Sequence, residues 1–266
     1  GYQFNSDEVR KVSEIRKGKI KEYPRETDEE LLKYTGFKRE KMKSFEESFS
    51  NFLIYSPENN KLRKFEEEAQ IEPLGIYGEG LFRLLSNLSK EELEEIKENL
   101  PLIDWYKDFS VPGNGELYPN QRKIKISDRF LSEEIDFFDQ RSTNEGFLYL
   151  LFYLSLVISK YTPKFFAIDN IDNSLNPKLC VEIVDRIASL SKKYDKQVIL
   201  TTHNPAVLDG MDLTDDEQRL YVIFRNADGK TRVKRIDANN FDTTGNVRLS
   251  EAFIRGYIGG LNKTGV

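Results

Sequence analysis

Cysteine and histidine are each used once in 266 residues, as Cys180 and His203. A single cysteine excludes an internal disulfide. Because Cys180 lies in an apolar helical stretch, a buried thiol in a reducing compartment is expected. One histidine and one cysteine leave no cluster suited to zinc, and no nucleophile–base pair for covalent catalysis stands out. No signal peptide is visible, and long apolar runs are missing too. The longest, FLYLLFYLSLVI at 147–158, is about twelve residues against the roughly twenty that a membrane-spanning helix needs. A helix this apolar on all sides belongs inside a protein. The chain is therefore expected to be cytoplasmic, without a membrane partner. Internal repeats and low-complexity tracts are absent. The sequence opens on Gly1 rather than Met, which predicts that it was trimmed from a longer one.

What is present is a large apolar complement, 38% of residues with 18 Phe and 13 Tyr, enough for a substantial core. Charged residues make up 32%, with both signs interleaved and a net charge of −5. That balance argues against the whole chain binding a polyanion and leaves a local basic patch open. The basic residues Arg10, Lys11, Arg16, Lys17, Lys19 and Lys21 alternate with Asp7, Glu8, Glu14 and Glu22, the pattern of a solvated face. GIYGEG at 75–80 has glycines at phosphate-loop spacing but no lysine, so it reads as a turn entering a helix.

Along the chain, residues 1–64 are strongly charged. The first 23 read as strand-like or irregular, and 26–53 as helical pieces with Asp28 as a cap. Two helices follow at 75–88 and 89–101, the second opened by a capping box of Ser89 and Glu92. Proline and glycine at 112, 113, 115 and 119 mark 102–122 as a loop, and RKIKISDRFL (122–131) reads as a short strand. Near 140 the character changes. The apolar helix is broken by Pro163, and KFFAID is a short buried strand. Asn176-Pro177 opens a helix with apolar positions at Leu179, Ile183, Val184, Ile187 and Leu190. QVILTT (197–202) is the next strand, 219–237 a hairpin around Asp228-Gly229, and 249–261 a closing helix. Strand–helix–strand at this spacing predicts a parallel βαβ unit. The expected class is α/β, a mainly parallel sheet with flanking helices (140–266) joined to a charged, mainly helical accessory region (1–139).

The chemistry concentrates at 165–209. Asp169 ends an apolar strand, and His203 follows the next one. If the strands are parallel neighbours, both residues lie at the carboxyl edge of the sheet, where open α/β sheets bind nucleotides. A strand-end aspartate there can hold Mg²⁺ against phosphate oxygens, and an imidazole can donate to a transferring phosphoryl group.

Three ordered motifs resemble the ATP-binding-cassette class of P-loop ATPases, in the branch of the SMC, recombination-repair and bacterial-defence ATPases, including Septu- and retron-associated ones. FFAIDNIDNSLNP (165–177) is similar to the Walker B strand and D-loop, with Asn173-Ser174-Leu175-Asn176 as the D-loop. VILTTHNPAVLD (198–209) is similar to the switch-histidine loop, and STNEGFLYLLFYLSLVIS (142–159) to the signature motif and its helix. LSEAFIRGYIGG (249–260) resembles C-termini of this branch. The resemblance covers 140–266, and 75–88 weakly. It implies ATP and Mg²⁺ as cofactors and a head-to-tail homodimer in which one copy's signature segment meets the other's nucleotide. Asp169 would hold the metal, His203 would contact the γ-phosphate, and Asn144, Glu145, Gly146, Ser174 and Asn176 would face the nucleotide. The accessory region would meet DNA or a nuclease in repair or phage defence.

Two departures limit that picture. GxxxxGK[ST] occurs nowhere in the sequence: Gly18-Lys19 has Ser13 at the required glycine and Gly229-Lys230-Thr231 has Phe224. The chain is therefore expected to be a C-terminal portion whose phosphate loop lies elsewhere. The residue after Asp169 is Asn170, where the family has a glutamate base. An amide positions water but accepts no proton, and Asp172 is the nearby carboxylate that could substitute. The signature is also altered, with Asn144 in the place of serine. An ATPase is thus the leading expectation. A nucleotide-responsive interaction module that scarcely hydrolyses ATP is the alternative. A transporter subunit ranks lower, since no LSGGQ-like signature is present.

Overall fold

The computed structural model describes residues 51–65, 74–112, 122–132, 136–238 and 247–259. The chain divides into two compact units, Gly1–Asn51 and Phe52–Val266, and the described residues from Phe52 onward belong to the second. The expectations for 1–50, including the mixed-charge basic segment, lie outside the described residues.

The elements in order are β1 (Leu53–Tyr55), α1 (Asn59–Arg63), α2 (Leu81–Asn87), α3 (Lys90–Asn99) and a 3₁₀ turn (Leu100–Leu102). There follow β2 (Tyr106–Ser110), β3 (Lys125–Asp128), α4 (Glu145–Ile158), β4 (Phe165–Ile168), α5 (Pro177–Lys193) and β5 (Gln197–Leu200). A second 3₁₀ turn (Pro205–Gly210), β6 (Leu220–Arg225), β7 (Thr231–Ile236) and α6 (Leu249–Ile254) complete the series. The βαβ unit expected from the spacing is present as β4–α5–β5, with Ile168 opposite Leu200 in parallel register. β1 pairs in parallel with the other side of β4, giving the order β1–β4–β5.

Burial explains the local choices. Every residue of α4 from Phe147 to Ile158 is buried, as a run with no polar face requires. Tyr55 of β1 meets Phe152 of α4 and Phe166 of β4 edge-on, with ring centroids 6.0 and 5.8 Å apart. Helix α5 is one-sided, burying Cys180, Ile183, Val184, Ile187 and Leu190. The Cys180 thiol is buried; burial, and then the charge of Asp172, push it up to about 11, so it stays protonated. One core cluster draws residues from Tyr55 to Val207, on both sides of the compositional change near 140. A smaller one joins Leu208, Val222, Ile236, Leu249, Ala252 and Ile258.

Helix ends follow their sequence signals. The Ser89/Glu92 capping box forms, Ser89 N–H donating to Glu92 and Glu92 N–H to Ser89 Oγ at 2.8 and 3.2 Å. After α4 the chain is held by Lys196, whose ammonium donates to the carbonyls of Ser159, Thr162 and Pro163 and to Thr162 Oγ1 at 2.8–3.2 Å. Burial, and then Lys164, lower that ammonium to about 8.

Three expectations are corrected. The loop assigned to 102–122 contains β2, which pairs antiparallel with β3. The helical reading that ran to Leu53 ends instead in β1, whose three residues are too few to show a period and become a strand only through β4. The closing helix stops at Ile254, and the chain turns at Gly256, φ +74°. The hairpin forms as β6–β7 around Gly229, φ +72°.

Candidate functional site

Asp169 lies one residue beyond β4. Its N–H donates to Tyr55 O at 2.8 Å, extending the β1–β4 ladder, so β1 sets the height of this carboxylate. On the other side Thr201, one residue beyond β5, donates its hydroxyl to Asp169 Oδ1. The same Oγ1 accepts the Asn170 N–H at 3.0 Å, and Thr201 O accepts the Ile171 N–H at 3.1 Å. The chain then turns tightly, with Asn170 at φ +52° and Ser174 at φ +59°. Asparagine tolerates that left-handed conformation better than most residues, which is a local reason for an amide at 170.

Asp172 accepts the Thr202 hydroxyl, and Thr202 Oγ1 in turn accepts the Asn204 N–H at 2.9 Å. The Asp172 charge also contributes to raising Tyr153 and Cys180, so this carboxylate leans toward α4 and α5. Asn204 caps the second 3₁₀ turn through the Ala206 N–H at 3.0 Å. Between Thr202 and Asn204, His203 is exposed. No hydrogen bond or ion pair is made to it among the described residues.

A cleft of about 540 Å³ opens at the amino ends of α4 and α5, lined by Trp105, Asn144, Gly146, Ser174, Asn176 and Lys178 among others. Asn144 and Asn176 cap these helices, accepting the Phe147 N–H at 2.9 Å and the Leu179 N–H at 3.0 Å. Their amide nitrogens have no partner among the described residues. Glu145, also lining the cleft, is held at both oxygens, by Asn59 Nδ2 at 2.5 Å and Ser174 Oγ at 2.7 Å. At Gly146 an added Cβ would lie 3.1 Å from Ser174 O. A glycine is what lets the 170–176 turn close onto α4.

The residues singled out in the sequence therefore fall into two groups. Asn144, Glu145, Gly146, Ser174 and Asn176 share the cleft; Asp169, Asn170, Asp172 and His203 stand at the sheet edge and do not line it. Sequence reasoning missed Thr201 and Thr202, although a polar pair between a strand and His203 was visible. It also missed Asn59 and Arg63. Arg63 donates to Asn59 Oδ1 at 2.7 Å and to the carbonyls of Gln140 and Arg141 at 2.8 and 2.9 Å. No local signal marks a clamp whose partners are 86 residues apart.

Residues 6–209 match a protein family described as "AAA domain, putative AbiEii toxin, Type IV TA system". The chain belongs to this family. Its fold is that of the P-loop ATPases, α/β with a parallel sheet and flanking helices. The match begins far upstream of 140, where the sequence motifs start, and leaves the β6–β7 hairpin and α6 outside it. No curated protein matches the chain.

Among solved structures, an SMC ATPase described by ATP-driven dimerization and DNA-stimulated activation shares 18% identity. The overlap covers 58% of this chain and 91% of that one, with a TM-score of 0.40. An SMC head bound to the C-terminal winged-helix domain of ScpA shares 17%, over 68% and 55%, at 0.43. The Smc head with an extended coiled coil from Pyrococcus furiosus shares 16%, over 59% and 36%, at 0.41. The chain thus spans only part of these last two.

Among the described residues no three or more His, Cys, Asp or Glu converge as a metal site, and no helix is long and apolar enough to cross a membrane. The donors at the sheet edge are one carboxylate, Asp169, with the Thr201 hydroxyl against it. That set fits Mg²⁺, which keeps several waters and is commonly held by one or two carboxylates together with phosphates. It does not fit an ion that needs a full protein cage.

Proposed function

We propose that this chain is the signature, Walker B and switch portion of an ABC-type ATPase that works as a nucleotide-clamped homodimer. The observation that carries the reading is the separation of the two residue groups. A cleft built from the α4 and α5 amino ends suits the terminal phosphate of a nucleotide held by a second copy, because helix amino ends and free amide donors attract anions. The sheet edge suits the nucleotide's other side. Asn144 and Asn176 offer donors, Gly146 permits close approach, and Glu145 and Ser174 brace each other. Asp169, oriented by Thr201, holds Mg²⁺, which when bound neutralises charge on the β- and γ-phosphates. His203 donates to the γ-phosphate, and Asp172 positions the turn through Thr202. The phosphate loop comes from sequence outside this chain. The charged surface before about 140 meets DNA or a nuclease, in a DNA-related or phage-defence process.

Calorimetry of Mg-ATP against the chain alone is expected to show no binding tighter than millimolar, since the sequence carries no GxxxxGK[ST] loop to cradle the α- and β-phosphates. Micromolar binding would overturn the half-site reading.

Asn170 favours a second reading, a module that binds nucleotide and hydrolyses it poorly. A positioned general base contributes about 10²–10⁴ in rate, so Asn170→Glu in an assembly that supplies the phosphate loop should raise turnover at least tenfold. The gain is held below the full range by the left-handed backbone at 170. Unchanged turnover would show that Asn170 does not limit hydrolysis.

A further inference from the structure

The β6–β7 ribbon gathers basic side chains at one place on the described surface. Elsewhere several lysines have carboxylate partners, as in Lys192 with Asp215, Lys193 with Glu95, and Lys97 with Glu94 and Asp108. The ribbon carries Arg225, Lys230, Arg232, Lys234 and Arg235, with Asp228 at the turn and Asp237 just beyond β7, and none of the five cations forms an ion pair among the described residues. Arg235 even leaves its Nε buried without a partner.

The cross-strand register sorts these groups. Val222 and Ile236 turn inward, 7% and 2% exposed, onto the small core with Leu249 and Ala252. The opposite face carries Tyr221 beside Arg235, Ile223 beside Val233, and Arg225 beside Thr231. Ile223 and Val233 are 67% and 62% exposed, although apolar residues at the centre of a sheet face normally find cover. Beyond the packed base, Phe224 pairs with Arg232 and Val222 with Lys234. The ribbon's free end is thus basic on both faces, with apolar and aromatic side chains between the cations.

We propose that this ribbon is a contact for duplex nucleic acid. A two-stranded ribbon fits a major groove about 12 Å wide. Arg232 and Lys234, two residues apart on one strand, are separated by about 7 Å, twice the roughly 3.4 Å axial rise per charge along one DNA strand. Apolar and aromatic groups between the cations can contact bases and sugars. The inference is independent of the nucleotide half-sites, because the binding it predicts needs no ATP.

The test is fluorescence anisotropy of a labelled DNA duplex with the chain, without nucleotide and across a salt series. A triple variant, Arg225→Ala, Arg232→Ala and Lys234→Ala, is compared, with Arg232→Lys as the conservative control. The expected result is salt-sensitive binding by the wild type. The triple variant should weaken it more than tenfold at low salt and flatten the log–log salt slope by about 0.9 for each phosphate no longer neutralised. Arg232→Lys should keep the slope. The changed side chains are exposed, so thermal unfolding should be unaltered. The proposal is overturned by equal affinity in wild type and variant, by binding confined to single strands, or by loss of self-association in place of DNA binding.

Discussion

His203→Ala is expected to slow ATP turnover by roughly 10²–10³ in an assembly that supplies the phosphate loop, the cost of losing one preorganised donor to transition-state charge. The geometry makes this a clean test. Thr201 and Thr202 use their side chains to hold the neighbouring turn, through Asp169 and Asp172, and Asn204 caps the 3₁₀ turn that follows. His203 is exposed, and it alone in this series makes no hydrogen bond among the described residues. Removing it opens no cavity and strands no buried partner, so the melting temperature should hold while turnover falls. His203→Gln, which keeps a donor, should recover part of the loss. Wild-type turnover in the alanine variant would remove His203 from the chemistry, and a large drop in melting temperature would make it a structural residue.

Gly210→Ala is expected to destabilise the fold by about 3 kcal/mol, at the upper end of what overpacking usually costs. A methyl at 210 would lie 2.3 Å from Val181 O and 2.9 Å from Val184 Cβ. The first of these is backbone in the interior of α5, whose buried face is fixed against the core, so the turn must move instead. At roughly 2–4 °C per kcal/mol for a unit of this size, the midpoint of thermal unfolding should fall by several degrees. Because Gly210 ends the 3₁₀ turn that Asn204 begins, His203 should be displaced and turnover should fall with it. An unchanged midpoint would mean that the turn repacks without cost.

Much of the molecule is legible in order along the chain, and the reason is that the signals are local. Asn176-Pro177 followed by apolar positions at helical spacing is enough for α5, and Ser89 with Glu92 for the start of α3. An apolar run without a polar face could only be a buried helix, and α4 is one. The strand-end aspartate, the polar turn and the single histidine carry the resemblance to ATPase motifs without any knowledge of their neighbours. β1 was not legible. Leu53–Tyr55 carries no period, and its strand identity comes from pairing with β4, more than a hundred residues later in the chain. The Asn59–Glu145–Ser174 clamp was hidden for the same reason: hydrogen bonds between residues far apart leave no pattern in either segment.

The sequence by itself determined the family, the parallel βαβ unit, the positions of Asp169 and His203 at the ends of adjacent strands, and the absence of GxxxxGK[ST]. Helix and strand periods, caps and motif spacing depend on residues close together, so they can be read without the fold. Only the tertiary structure decided how the site residues divide, with Asn144, Glu145, Gly146, Ser174 and Asn176 in one cleft and Asp169, Asn170, Asp172 and His203 outside it. It alone also showed that the hairpin turns unpaired cations outward. Both depend on how α4, α5 and the strands pack, which is settled by burial across the whole unit and not by any segment of it.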